Sequence, residues 1–157
     1  MCLTCLMFLI TSLLTEECYG AYTANDGVCR FNGTVISQCP SGSGVPKFYR
    51  AANAYAVEQT VEAIQTEIMT HGPVEAIFAV YQDFFSYRSG VYIHTSGSQV
   101  GIHAIKMLGW GQLQGIDFWI CANSWGPNWG MSGFFYIRRG TNECGIESGV
   151  TAGIPAM

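Results

Sequence analysis

Charge is what this sequence has least of. Asp, Glu, Lys and Arg make up 11 % of its 157 residues, under half of the usual share of about 25 %. Seven of them are basic and eleven acidic, for a net charge of -4. Without a basic field the chain has nothing to hold a phosphate backbone, which speaks against nucleic acid as a partner. Few charges alongside 49 % apolar residues also speak against disorder. No internal repeat and no low-complexity tract is visible. Proline is sparse, at 5 residues, whereas 19 Gly, 4 Trp, 8 Tyr and 9 Phe point to a turn-rich fold with many strands.

Metal-ligand patterns are missing as well. The seven cysteines stand at 2, 5, 18, 29, 39, 121 and 144. No pair at two-residue spacing is followed by a second such pair or by two spaced histidines, so no zinc site and no cofactor is expected. Cys2-Leu-Thr-Cys5 has redox spacing but no βαβ pattern follows it. Cys18, Cys29 and Cys39 lie in a polar, Gly-rich stretch, where disulfides and hence an oxidising compartment are the expectation. The sequon Asn32-Gly-Thr34 agrees weakly with that.

Long uncharged stretches are few. Residues 1–15 could pass for the core of a signal peptide, yet the first basic residue is Arg30 and Glu16-Glu17 follow in place of a small-residue cleavage site. The other reading is a buried helix, with Leu6, Leu9, Ile10, Leu13 and Leu14 at helical spacing. Residues 118–137 are long enough to span a bilayer, but Asn123, Pro127 and Asn128 with several glycines make them strands and turns. No stable membrane span is expected.

The chain divides into an apolar helix or signal-like segment (1–14), a disulfide-containing loop region (15–47) and a folded part (48–157). Residues 48–57 read as a strand. Residues 58–71 form the clearest helix, with Val61, Ile64, Ile68 and Met69 on one face and Gly72-Pro73 ending it. Residues 74–80 read as a buried strand, 83–87 as a helical turn, and 91–94, 103–113, 117–125 and 133–139 as strands. Residues 112–115 make a hairpin turn. One helix followed by mostly antiparallel strands gives an α+β, barrel-like architecture.

Of three histidines, His71 closes the helix as a C-terminal charge partner and His94 sits in a polar loop. His103 opens an apolar strand and is either a structural core residue or a catalytic one. The unusual run Asn123-Ser-Trp-Gly-Pro-Asn-Trp-Gly130 begins twenty residues later. Across a hairpin turning near 113–115, positions 103 and 123 are close to mirror images, at the same end of two neighbouring strands. An Asn there can accept from the imidazole N–H and fix its tautomer, and Trp125 can cover that bond. A base for a nucleophile is oriented in this way.

Several blocks run in the order found in papain-like cysteine peptidases. They are Gly72-Pro-Val, Gly90-Val-Tyr92, Gly101-Ile-His-Ala104, Leu108-Gly-Trp-Gly111, the Asn123 run, Gly133-Phe-Phe and Cys144-Gly-Ile-Glu-Ser148. Glu67-Ile-Met-Thr-His-Gly-Pro73 and Ala152-Gly-Ile-Pro155 are most similar to the cathepsin B-like group. The resemblance covers roughly residues 15–157. It implies the antiparallel β-barrel lobe of the papain-like fold with a short remnant of the helical lobe, and a peptidase acting on peptide or protein substrates in a lysosomal, vacuolar or secreted setting. It implies His103 as general base and acid, Asn123 as its orienter, Trp125 as the shielding indole and Trp129 as a wall of the cleft. Ile77, Ala104 and Gly149 match the pocket for the second side chain before the cut. The cathepsin B-like group has an acidic residue where Gly149 stands, so a preference for apolar over basic side chains is expected. Cys18 resembles a family disulfide position, with Cys39 as partner.

The family's nucleophile block, Gln-x5-Cys-Gly-Ser-Cys-Trp, is not in this sequence. Cys2-Leu-Thr-Cys5-Leu-Met-Phe8 echoes its end, with Cys5 in the nucleophile's place, but Leu3 stands for the Gly, Leu6 for the Trp, and no Gln precedes. Cys5 is thus a nucleophile candidate or a buried structural thiol. No counterpart of the occluding loop is present, so removal of dipeptides is not expected. The reading is a C-terminal part of a peptidase whose nucleophile lies outside the chain, or a truncated inactive homologue. A lobe without its helical partner exposes apolar surface and is expected to associate.

Overall fold

The computed structural model describes residues 13–14, 18, 39 and 48–156. The chain divides into two compact units, residues 1–54 with 153–157, and residues 55–152.

In the first unit, β1 (Leu13–Leu14) pairs antiparallel with β2 (Phe48–Tyr49). The helical spacing of the apolar N-terminal stretch therefore gives way to a strand at Leu13 and Leu14. Residues 1–12, with Cys2 and Cys5, and the loop residues Cys29 and Asn32 lie outside the described residues. Cys18 and Cys39, both buried, form a disulfide with an S–S distance of 2.11 Å.

The second unit carries one helix and most of a mixed sheet. Helix α1 spans Val61–His71, three residues shorter than the periodicity suggests. Thr60 takes the N-cap in an extended conformation, and its hydroxyl accepts the Ala63 N–H at 3.2 Å, which leaves Glu58 and Gln59 outside the helix. Gly72 ends the helix at φ 100°, its N–H returning to the Ile68 carbonyl at 3.1 Å. Such a φ strains any side chain, and Gly carries none. His71 in the last turn pairs with Glu67 at 2.9 Å.

The strands are β3 (Ala51–Ala56), β4 (Val74–Tyr81), β5 (Val91–Tyr92), β6 (Gln99–Leu113), β7 (Ile116–Ala122), β8 (Phe134–Arg138) and β9 (Val150–Pro155), in sheet order β3-β9-β4-β6-β7-β8-β5. The ladders of β4 with β6 and β9, of β6 with β7 and of β7 with β8 are antiparallel, and β5 pairs parallel with β8. This is the α+β architecture the patterning indicates, with a helix on a sheet. Period-two alternation puts Val74, Ala76, Phe78 and Val80 of β4 into the core, opposite Trp119 and Cys121 of β7 and Phe135 and Ile137 of β8. A 3-10 helix at Gln82–Ser86 inserts Phe84, which is fully buried among Phe78, Trp129 and Phe135. Each such large side chain stabilises the fold by roughly 1.5–3 kcal/mol.

Residues 48–57 divide into β2 and β3, β7 ends at Ala122 short of the expected 125, and β5 and β6 also differ from their expected extents. β6 begins at Gln99, because β4 continues to Tyr81 and pairs with it there beyond a bulge at Val80/Tyr81. His103 consequently stands inside a strand, opposite Phe78, and does not open it. β5 stops at Tyr92, because the His94 N–H leaves the ladder to donate to the Glu143 carboxylate at 3.1 Å. His94 lies in its loop with the ring stacked on Tyr81 at 3.7 Å and Nδ1 3.2 Å from both Asp83 oxygens.

Candidate active site

β6 and β7 turn through Gln114 and Gly115, at φ 51° and 82°, the positive angles of a two-residue hairpin turn. The hairpin brings His103 on β6 to Asn123, one residue past the end of β7. His103 Nε2 and Asn123 Oδ1 are 2.9 Å apart.

The protonation pattern follows from a second bond. The Ser124 N–H donates to the same Asn123 Oδ1 at 2.7 Å. A flipped amide would aim its NH2 group at that donor, so the oxygen faces both partners. The nitrogen facing Asn123 must then carry the hydrogen, which leaves Nδ1 as the proton acceptor of a neutral imidazole. Among the described residues the buried Asn123 Nδ2 finds no acceptor.

Aromatic rings surround this pair. Trp125 lies over the His103 ring at 5.3 Å with 28° between planes, and Phe78 flanks the imidazole at 6.1 Å. Trp129 meets Trp125 edge-on at 5.1 Å. Trp129 itself is only 9 % exposed and packs into the core with Phe84, Tyr87 and Phe135, its indole N–H donating to the Phe85 carbonyl at 3.2 Å. It supports Trp125 from below, and Trp125 holds the surface position. Phe85, which no local pattern marks out, stacks on Trp125 at 5.2 Å.

The other face of the sheet gathers the three expected pocket residues. Ile77 and Ala104 are direct cross-strand partners. The Ile77 N–H donates to the Gly149 carbonyl at 3.1 Å. A Cβ built on Gly149 would stand 3.4 Å from Ile77 Cβ, in ordinary contact and with no strained φ. A groove of about 480 Å³ opens at Ala104, lined by 73–75, 104–106 and 122–124 but not by Ile77 or Gly149, with Glu75 and Lys106 facing each other across the ladder.

Neither free thiol in the described residues suits a nucleophile. Cys121 is fully buried in β7, and burial pushes its thiol up. Cys144 is half-buried, and burial, then the neighbouring Glu143 carboxylate, push its thiol up to about 12. At neutral pH both are protonated and inert.

Residues 4–154 match the papain family cysteine protease profile. The chain belongs to the papain family of cysteine proteases. It is 57 % identical over 106 residues to a cathepsin B-like cysteine proteinase of Caenorhabditis elegans, covering 68 % of this chain and 32 % of that protein. It is 54 % identical over 116 residues to a cathepsin B-like cysteine proteinase of Haemonchus contortus, covering 71 % of this chain and 34 % of that one. A gut-specific cysteine proteinase of Caenorhabditis elegans is 58 % identical over 101 residues, covering 64 % of this chain and 31 % of that protein. Among solved structures, procathepsin B from Trypanosoma congolense superposes with a TM-score of 0.75 at 36 % identity, over 92 % of this chain and 49 % of that one. The chain thus spans about a third of the length of these curated relatives. Its helix and seven-stranded sheet are the β lobe of the papain-like fold.

Proposed function

We propose that this papain-family chain supplies the acid–base half of a thiol peptidase site, with His103 as general base and acid and Asn123 as its orienter. The observation that carries the reading is the His103–Asn123 bond lying under Trp125 with Nδ1 left as acceptor. In the reaction, a cysteine thiol gives its proton to Nδ1, and the thiolate attacks the carbonyl carbon of a peptide bond. The imidazolium returns the proton to the departing amine as the C–N bond breaks, leaving a thioester. Water then attacks, His103 takes its proton, and the carboxylic acid leaves as the thiol re-forms. Asn123 holds the imidazole at each proton transfer, and Trp125 keeps water from that hydrogen bond.

The nucleophile comes from outside the described residues. Cys5 is the candidate within this sequence, and it falls inside the range that matches the family. The walls Ile77, Ala104 and Gly149 are uncharged, and on this reading they favour an apolar side chain at the second position before the cut. The Cys18–Cys39 disulfide favours an oxidising setting, lysosomal, vacuolar or secreted. Exposed apolar side chains on the β lobe, led by Ile102 at 75 % and Met69 at 69 %, favour a covering partner or self-association.

Incubation of the full chain with a fluorogenic dipeptide and a thiol-reactive epoxide tests this. Turnover, a label on Cys5 and loss of both in His103→Ala are the expected results for an active chain. Neither turnover nor label would make this chain alone an inactive homologue.

A further inference from the structure

Strand β3 ends the seven-stranded sheet on one side, and among the described residues its strand neighbour is β9. The bonds to β9 reach both ends of the strand. The Ala156 N–H donates to the Arg50 carbonyl at 2.8 Å, and the Val57 N–H donates to the Val150 carbonyl at 2.9 Å. The opposite edge of β3 therefore presents a row of backbone donors and acceptors. Exposure agrees with this. Ala52, Asn53 and Ala54 are exposed in succession, and successive side chains point to opposite faces, so neither face of the strand is covered there.

Natural proteins blunt an open edge with lysine, proline or an inward-pointing charge. β3 reads Ala51-Ala-Asn-Ala-Tyr-Ala56 and carries none of them. The nearest charges flank it, and their placing is symmetric. Arg50 stands four residues before Ala54, and Glu58 stands four residues after it. Both are exposed, and neither joins an ion pair among the described residues. An antiparallel copy of β3 laid along this edge, with Ala54 opposite Ala54, sets each Arg50 opposite the other copy's Glu58. A slip of two residues either way keeps the ladder but takes both charges out of line. Opposite charges facing across strands favour a pairing, and like charges oppose it.

We propose that β3 is a self-association edge: two copies of this chain join β3 to β3, antiparallel, about a two-fold axis at Ala54. The patch is self-complementary, as an interface between identical chains requires. Backbone bonds hold the added strand, and the two Arg50–Glu58 pairs set its register. One short strand per side is a small interface, which makes the dimer weak and dependent on concentration. The contact runs through a strand edge, apart from the exposed apolar side chains of the β lobe, and it does not depend on His103 being a base.

The test is analytical ultracentrifugation of the full chain from about 1 µM to 1 mM. Wild type is expected to dimerise across this range. Arg50→Glu and Glu58→Arg each set like charges against one another at both ends. Each is expected to raise the dimer dissociation constant about 3- to 30-fold. Both substitutions in one chain restore the two pairs with reversed signs and should return the constant to within about 2-fold of wild type. Mild oxidation of Ala54→Cys is expected to link position 54 to position 54, as peptide mapping would show, whereas Ala52→Cys gives no 52–52 link because those positions lie too far from the axis. A chain that stays monomeric to about 1 mM would overturn the proposal. So would a dimer indifferent to the single charge swaps, which joins through another face, or a double swap as weak as the single ones. Where a swap variant does not fold, the cross-link decides alone, and absence of the 54–54 link overturns the proposal.

Discussion

The loop after β8 offers a sharp test of how the lobe is held together. Asn142 and Cys144 both adopt left-handed backbone angles, at φ 50° and 53°, a conformation that costs a non-glycine residue about 1–3 kcal/mol. The buried Glu147 carboxylate pins that loop. Its Oε1 accepts the Trp119 indole N–H at 2.9 Å and the Gly140 N–H at 2.6 Å, and its Oε2 accepts the Asn142 N–H at 2.8 Å. Glu147→Gln keeps the shape and removes one acceptor. If the amide oxygen stays on the two-donor side, the new NH2 faces the Asn142 N–H, donor against donor. Losing a bond to a charged group costs about 1.5–3 kcal/mol, and the two surviving bonds each weaken by about 0.5–1 kcal/mol as they become neutral. The expected loss is therefore about 3–4 kcal/mol. With a urea slope of roughly 1–3 kcal/mol per molar, the unfolding midpoint should fall by about 1–4 M. Glu58→Gln, at an exposed position before α1, should stay within about 0.5 kcal/mol. A loss below about 1 kcal/mol for Glu147→Gln would refute the reasoning, because the three donors would then have found water instead.

Asn123→Ala should lower kcat about 10- to 100-fold in an active preparation, since it removes the one acceptor that orients His103. Steady-state kinetics on a fluorogenic dipeptide would show it. Asp83 sits in the first turn of the 3-10 helix Gln82–Ser86, where burial raises its carboxyl. The hydrogen bonds from the Thr95 N–H, the Tyr92 hydroxyl, the Ser96 N–H and His94 outweigh that and hold it well below the usual carboxylate range. Its folded value lies below its unfolded one, so the stability it contributes is full above about pH 4 and is lost as pH falls towards the folded value. Asp83→Asn should accordingly lower Tm at pH 7, and the gap from wild type should narrow as the solution is acidified below pH about 4. Gly149→Glu should fit beside Ile77 with no backbone strain and raise the kcat/KM ratio of basic over apolar side chains at the second position by roughly tenfold, as expected for one new charge pair in a partly buried pocket. A dipeptide substrate panel checks it.

Helix α1, strand β4 and the β6–β7 hairpin were legible in the sequence because each is a local pattern: apolar residues at helical spacing, alternation, and a Gly-containing turn. The meeting of His103 and Asn123 was legible because a hairpin converts sequence distance into symmetry. Other features depend on contacts that no local pattern encodes. The β5–β8 pairing is parallel and joins strands more than forty residues apart. Trp129 reads as the twin of Trp125, yet one lies in the core and the other over the imidazole, because the turn through Gly126 and Gly130 sends them to different depths. Glu147 looks like an ordinary polar residue of a turn, and its role depends on Trp119 arriving from β7. Phe85 was invisible for the same reason, since its partner lies forty residues away.

The site also depends on one irregularity in the β6–β7 ladder. Near the turn, Gly111 pairs with Phe118 and Leu113 with Ile116. If that register continued, Asn123 would fall opposite Lys106, whose side chain points to the outer face with Ile77 and Ala104. Cross-strand partners point to the same side of a sheet, so Asn123 would turn away from His103. The bulge between Met107 and Gly109 prevents this. Beyond it Lys106 pairs with Ala122, which brings Asn123 level with Ile105, on the core side that His103 shares. One extra residue in β6 therefore decides which face receives the amide. The same pleat separates two neighbours on β6: His103 turns inward to Asn123, and Ala104 turns outward beside Ile77.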